Sequence, residues 1–319
     1  MKNIFTRALW ASLVCIGMAA QAQNASQPIR IIVPFTPGTG MDTIARTIQP
    51  RLSERLGQPV VVDNRGGANG FIASEAVARA RPDGYTFLST ANTTHGSNPA
   101  LFHRLPYDPV ADFAPVALIG VGVLLVVVNN DLPVRSMREL ADYARANPGK
   151  LNFASGSASS RVAGEMFKAM AGVDMVNVTY RSNPLGITDV IGGVAQVMFV
   201  DATTSMPQAR EGRVRAIGVT SRQRVSMMPD VPTVEEQGFP GYEMLSWNAM
   251  YAPAGTPPEI VARVNGLVND IMARPAVRER LTASGMVLRP GSPEDLARFQ
   301  ASEIEKWKRL VRESGIELQ

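Results

Sequence analysis

From Ile29 to about Val219, short β-branched runs alternate with amphipathic segments, and this restricts the chain to an α/β architecture. Ile29-Arg30-Ile31-Ile32-Val33 predicts the first strand, followed by the turn-rich stretch Pro34 to Gly40. Ile44, Ile48, Leu52 and Leu56 then repeat every four residues as one apolar helical stripe. Pro50 interrupts it, so the helix is expected to kink or divide there. Val60-Val61-Val62 reads as a second strand, Ile72 to Ala80 as a second helix and Tyr85 to Ser89 as a third strand. Strand–helix–strand units at this spacing imply right-handed crossovers and a mostly parallel sheet.

The rhythm breaks at Asn98 to Pro115, where Pro99, Pro106, Pro109 and Pro115 predict irregular chain wrapping a lobe. It restarts with Leu124 to Val128 as a buried strand. Helices follow over Ser136 to Ala146 and Arg161 to Ala171, and strands over Leu151 to Ala154, Val176 to Tyr180, Val194 to Val200 and Val214 to Val219. Ile187 to Ile191 is expected as a short helix, Glu243 to Tyr251 as extended chain, and Pro257 onward as almost entirely helical. The pattern reads as two α/β units, the second inserted into the first. Residues 23–122 and 248–319 would form lobe 1 and residues 123–247 lobe 2. The chain would cross near Val121 to Val123 and near Ser246 to Asn248, and two such crossings make a hinge beside a cleft.

Residues 1–22 have the features of a secretory leader. Lys2 and Arg7 precede the uncharged run Ala8 to Ala20, and Ala20-Gln21-Ala22 offers small residues for cleavage after Ala22. The run is too short to span a bilayer, and Val14 stands where a lipoprotein needs a small residue before Cys15. The mature protein is therefore expected to be soluble and periplasmic. Cleavage removes the single cysteine, so neither a disulfide nor a thiol nucleophile is expected. The net charge of +4 drops by two as Lys2 and Arg7 leave. The remaining charges are interspersed, which gives no nucleic-acid footprint.

Four strand-to-helix junctions are candidates for chemistry. The first runs through Phe35, Thr39, Gly40, Met41 and Asp42. Its glycines and helix start suit a carboxylate or phosphate, or serve only as a structural turn. Thr43 stands where a dinucleotide fingerprint needs its third glycine, and no Gly-Lys-Ser/Thr follows. The second carries Ser155, Ser157, Ser159, Ser160 and Arg161, hydroxyls that can cap a helix or contact a ligand. The third holds Tyr180, Arg181, Ser182, Asn183 and Pro184, and the fourth is Asp201. Ligands of open α/β sheets bind outside the carboxyl ends of strands, so the four can converge. Thr94 and His95 could face the same cleft. Gly156-Ser157-Ala158-Ser159 does not complete Gly-x-Ser-x-Gly, and His95 and His103 are the only histidines, so hydrolase chemistry is a remote alternative. Their spacing is no metal-ligand spacing. No catalytic residue, metal or cofactor is expected.

At these residues the chain resembles the substrate-binding proteins of tripartite tricarboxylate transporters, the Bug or TctC family. The marks are Ile29-Arg30-Ile31-Ile32-Val33-Pro34-Phe35 with Pro37-Gly38 and Asp42, Val62-Asp63-Asn64-Arg65, Pro82-Asp83-Gly84-Tyr85-Thr86 and Leu105-Pro106-Tyr107-Asp108-Pro109. Further on come Asp112-Phe113-Ala114-Pro115-Val116, Pro229-Asp230-Val231-Pro232-Thr233 and Ala252-Pro253-Ala254-Gly255-Thr256-Pro257. The resemblance implies a two-lobed type II periplasmic binding protein, a monomeric Venus flytrap that passes a small carboxylate, a dicarboxylate or an aromatic acid, to permease subunits in the membrane. A ligand-sensing receptor on the same fold is the alternative. It further implies that Phe35 through Asp42 and Tyr180 through Gly186 grip the carboxylate, with Ser155 to Arg161 nearby. Three departures bear on specificity. Thr39 follows Pro37-Gly38 where a glycine is common and adds a hydroxyl, Arg161 replaces a common histidine, and Ser182-Asn183 replaces Gly-Ala.

Overall fold

The computed structural model describes residues 27–318; the expected leader, its cleavage point and Cys15 lie outside the described residues. The strands are β1 (Ile29–Val33), β2 (Val60–Asn64), β3 (Thr86–Ala91), β4 (Phe113–Val128), β5 (Asn152–Ser155), β6 (Val176–Thr179), β7 (Val197–Asp201), β8 (Arg215–Val219), β9 (Leu245–Pro253) and β10 (Met286–Leu288). The α-helices are α1 (Gly40–Leu56), α2 (Phe71–Ala78), α3 (Asn98–Leu101), α4 (Met137–Ala146), α5 (Ala158–Ala171), α6 (Asn183–Ile191), α7 (Ala202–Arg210), α8 (Pro258–Ala273), α9 (Pro275–Ala283) and α10 (Pro293–Glu313).

β2, β1 and β3 pair in parallel, as do β6, β5 and β7, as the crossover helices between them require. The two parallel sets are joined by β4 and β9, which run antiparallel to each other. β4 is long enough to serve both lobes. Phe113 to Val123 pairs with β9, and Leu124 to Val128 pairs with β7 on one side and β8 on the other. β10, which the sequence pattern does not announce, adds to β4 at Gly120 to Gly122. Two lobes thus share one strongly curled sheet, and the carboxyl ends of β1, β3, β5, β6 and β7 turn toward the space between them.

Each lobe covers its sheet on both faces with helices. In the first lobe Ile31, Val33, Ile44, Ile48, Leu52, Phe87 and Val268 form one buried cluster, the stripe expected of α1. Pro50 does not divide that helix, which runs unbroken for 17 residues. Pro50 and Arg46 both lie on the exposed face, so the carbonyl freed by the missing N–H meets water rather than core. The second lobe packs Leu140, Phe153, Phe167, Phe199 and Tyr242 together. The C-terminal helix α10 crosses between the two: Leu296 packs with Trp247 and Tyr251, whereas Trp307 and Val311 join the cluster around Phe167.

Within the proline-rich region only Asn98–Leu101 is α-helical, and it is preceded by a five-residue π-helix over Thr93–Ser97. That widened turn, invisible to a 3.6-residue pattern, carries Thr94 and His95 inward. No helix among the described residues is long and apolar enough to cross a membrane.

Candidate functional site

The first loop is built around its own helix start. Gly38 at φ +83° adopts a conformation that side-chain-bearing residues avoid, and its N–H donates to Asp42 Oδ2 at 3.0 Å. Thr39 is the N-cap of α1: its hydroxyl accepts the Asp42 N–H at 3.4 Å and donates to the Thr36 carbonyl at 3.1 Å. The hydroxyl expected to contact ligand is therefore occupied in shaping the loop. Asp42 is buried and receives Arg46 Nε at 2.9 and 3.1 Å. Burial alone would raise its pKa, but the Gly38 N–H, the bonds from Arg46 and Asn64, and the Arg46 charge together hold it below the ordinary value. Asp42 is thus a structural carboxylate facing away from the cleft, which it does not line.

The second-lobe loops pack on each other so closely that only glycine fits at one point. A Cβ on Gly156 would lie 2.2 Å from the Ser182 carbonyl carbon and 2.3 Å from the Asn183 nitrogen. Ser157 caps α5, accepting the Ser160 N–H at 3.3 Å, and its oxygen also meets Ser159 Oγ at 3.2 Å. Ser155 donates to Asn177 Oδ1 at 2.7 Å, and Ser160 is fully buried with its hydroxyl toward the Ala154 carbonyl. Asn183 Nδ2 donates to Asp201 Oδ2 at 2.6 Å, and Asp201 caps α7 by accepting the Thr204 N–H at 2.9 Å. Ser182 holds the N-cap position of α6 without making a capping bond. Its oxygen instead accepts a hydrogen bond from Thr36 in the opposite lobe, at 2.8 Å.

Two further contacts close the lobes on each other. Thr203 donates to the Ser284 carbonyl at 3.2 Å, and a Cβ on Gly40 would lie 3.5 Å from Asp201 Oδ1. Between these contacts the cleft divides at Phe35, Gly156 and Ser157 into two compartments. The inner one, about 50 Å³, brings together Thr39, Gly40, Met41, Ser159, Asn183 and Asp201. The outer one, about 260 Å³, is lined by Ser155, Arg161, Tyr180 and Arg181, with Phe102 and Asn98 opposite.

Arg161 sits in the first turn of α5, where the helix dipole disfavours a cation. Its side chain makes no ion pair or hydrogen bond among the described residues, and its Nε is buried without a partner. Tyr180 donates to Asp189 Oδ2 at 2.7 Å; burial, then that bond and the Asp189 charge, push its pKa up to about 12.

The structure does not bring Thr94, His95, Ser160, Ser182 or Pro184 to the compartment walls. Ser182 is buried in the lobe contact, and Pro184 occupies the first turn of α6. Thr94 and His95 lie fully buried on the inward side of the π-helix, with their side chains 2.8 Å apart. The imidazole stacks on Tyr251 at 4.1 Å between centroids, and burial drives its pKa down to about 3. The lining residues Asn92, Asn98, Ser246 and Asn248 went unnoticed in the sequence. Asn92 follows directly on the end of β3, the one signal that could have found it. No group of three or more His, Cys, Asp or Glu side chains among the described residues is placed to hold a metal ion.

The family model of the tripartite tricarboxylate transporter family receptor matches residues 44–316. The chain belongs to that family. Among solved receptors, Rpa4515 from R. palustris, determined with adipate, superposes with a TM-score of 0.90 at 34% identity, covering 92% of this chain and 98% of that one. The periplasmic binding protein BugD superposes at 0.87 with 31% identity over 92% of this chain and 99% of its own. MatC from Rhodopseudomonas palustris, with bound malate, gives 0.85 and 33% over 89% and 98%. The two-lobed fold is accordingly that of the TctC and Bug receptors, a family of solute-binding proteins.

Proposed function

We propose that the chain is a periplasmic receptor that captures one small organic carboxylate between its lobes and delivers it, chemically unchanged, to the permease subunits of a tripartite tricarboxylate transporter. The observation that carries the reading is the unpaired Arg161 guanidinium, buried at Nε in the wall of a cleft between two lobes. A guanidinium left without an anion at a helix N-terminus is unfavourable by itself, and a carboxylate would satisfy it with two parallel hydrogen bonds. Arg181 lines the same compartment, and the α6 N–H groups that Ser182 leaves uncapped offer further donors at the loop where the lobes meet. The adipate and malate held by the related receptors are of the same chemical class.

In this account residues 23–122 and 248–319 form one lobe, residues 123–247 the other, and β4 and β9 are the hinge. The mature chain begins after Ala22 and works as a monomer. No histidine lines either compartment, and the serines there are occupied as a cap, by each other or by neighbouring Asn177, Gly122 and Leu281, which favours capture over hydrolysis. A thermal-shift screen of the mature chain against small mono- and dicarboxylates tests this. A true ligand at about 100 times its Kd adds roughly 2.7 kcal/mol and raises Tm by several degrees. No shift with any carboxylate, in protein freed of ligand by unfolding and refolding, would overturn the reading.

A further inference from the structure

The two compartments carry opposite charge. Arg161 and Arg181 are the charged side chains of the outer one, whereas Asp201 is the one charged side chain lining the inner one. Two residues that line the inner compartment, Asn183 and Asn92, each keep one buried polar atom without a partner, Asn183 Oδ1 and Asn92 Nδ2. Their identities are fixed by what the other end of each amide does. Asn183 Nδ2 donates to the Asp201 carboxylate at 2.6 Å, which leaves its oxygen as the free end. Asn92 Oδ1 accepts the Trp247 N–H at 3.4 Å, which leaves its NH₂ free. The start of α1, the other place for an anion here, is partly filled by its own side chains. Thr39 caps it, Asp42 takes the Gly38 N–H, and Asp201 stands beside Gly40.

We infer that the ligand is asymmetric: a carboxylate in the outer compartment and, at its other end, a neutral or cationic group that both donates and accepts hydrogen bonds. A hydroxyl or a primary carboxamide satisfies Asn183 Oδ1 and Asn92 Nδ2 together, and an ammonium satisfies Asn183 Oδ1 and the Asp201 charge. A second carboxylate in the inner compartment would face Asp201 with no cation to offset the repulsion, and it would leave Asn183 Oδ1 opposite another acceptor. The inference rests on the carboxylate reading of the outer compartment and adds the chemistry of the far end.

Titration calorimetry of the wild-type mature chain with straight-chain acids tests it, using matched sets of four to seven carbons. Each set holds the dicarboxylate, its monoamide and the ω-hydroxy and ω-amino monocarboxylates. The expected result is that at least one ω-hydroxy, ω-amide or ω-amino acid binds at least ~10-fold more tightly than the dicarboxylate of equal length. Asp201→Asn should then bring the two within about three-fold, by removing the like-charge contact. A dicarboxylate that binds as tightly as its asymmetric partners at every length overturns the inference while leaving the receptor reading intact. No binding by any member of the series overturns this inference, whereas the receptor reading stands or falls on the wider carboxylate screen. The wild-type comparison decides the matter even if the variant, which keeps an N-cap amide but loses its charge, folds poorly.

Discussion

Gly156 offers the sharpest test of how the second-lobe loops are built. A methyl group there would lie 2.2 to 2.4 Å from the Ser182 carbonyl carbon, the Asn183 nitrogen and the Ser182 oxygen, all main-chain atoms that no rotamer change can move aside. Restoring ordinary contact needs the start of α6 to retreat by about 1 Å, a displacement typical of overpacked sites. That retreat draws Asn183 from Asp201, now 2.6 Å apart, and Ser182 from Thr36, now 2.8 Å apart. Overpacking costs about 1–3 kcal/mol, and each stretched hydrogen bond adds roughly 1 kcal/mol. Gly156→Ala should therefore lower Tm by several degrees and weaken ligand binding by at least ~10-fold, readable by differential scanning and titration calorimetry. Gly266→Ala is the control: it sits inside α8 with nothing within 4 Å of a new Cβ, so it should be neutral or slightly stabilising. An unchanged Tm and a Kd within two-fold for Gly156→Ala would refute the close-packing argument.

Three other outcomes are expected. Thr36→Val and Ser182→Ala each remove the bond across the cleft, worth about 1 kcal/mol, so each should speed ligand dissociation roughly five-fold. The double variant should be no faster than either single one, and additive effects in stopped flow would deny the contact. Arg161→Ala should cost about 1.5–3 kcal/mol of carboxylate affinity with little change in the Tm of the ligand-free protein; an unchanged Kd removes Arg161 from the site. Acid should destabilise the fold through His95, whose pKa is near 6.5 unfolded and about 3 folded. The unfolded state then binds the extra proton, so stability falls by up to ~1.4 kcal/mol per pH unit as pH drops from 6.5 toward 3. The depressed Asp42 acts in the same direction, but only below its unfolded value of 3.8. His95→Gln should flatten the melting profile between pH 6 and 4, and an identical profile would show that another group controls it.

Strand and helix periodicity made most of the fold legible. Leu124 to Val128 could be read as a buried strand because it is apolar at every position, as a strand covered on both faces tends to be. Pro50 does not divide α1 because it stands on the exposed face, which periodicity alone does not weigh. The π-helix escaped because no periodic pattern encodes a five-residue turn, and with it went the placement of His95 behind the cleft. The four strand-end loops, residues of which line the cleft, could be grouped from the direction of the sheet alone. What each residue does in them could not be read that way. Thr39, Ser157 and Asp201 are caps, Asp42 pins the loop before α1, and whether a polar side chain serves its own helix or a ligand depends on atoms that the chain brings from elsewhere. Asn92, Ser246 and Asn248 have no motif at all and are recruited by pairing across β3, β9 and β4.

The most direct test is a crystal structure of the mature chain with the carboxylate that gives the largest thermal shift. Density is expected for an intact ligand in the cleft between the lobes, with one carboxylate within hydrogen-bonding distance of the Arg161 guanidinium and Thr36 still bonded to Ser182. A ligand bound outside the cleft, a carboxylate turned away from Arg161, or a hydrolysed product in its place would contradict it.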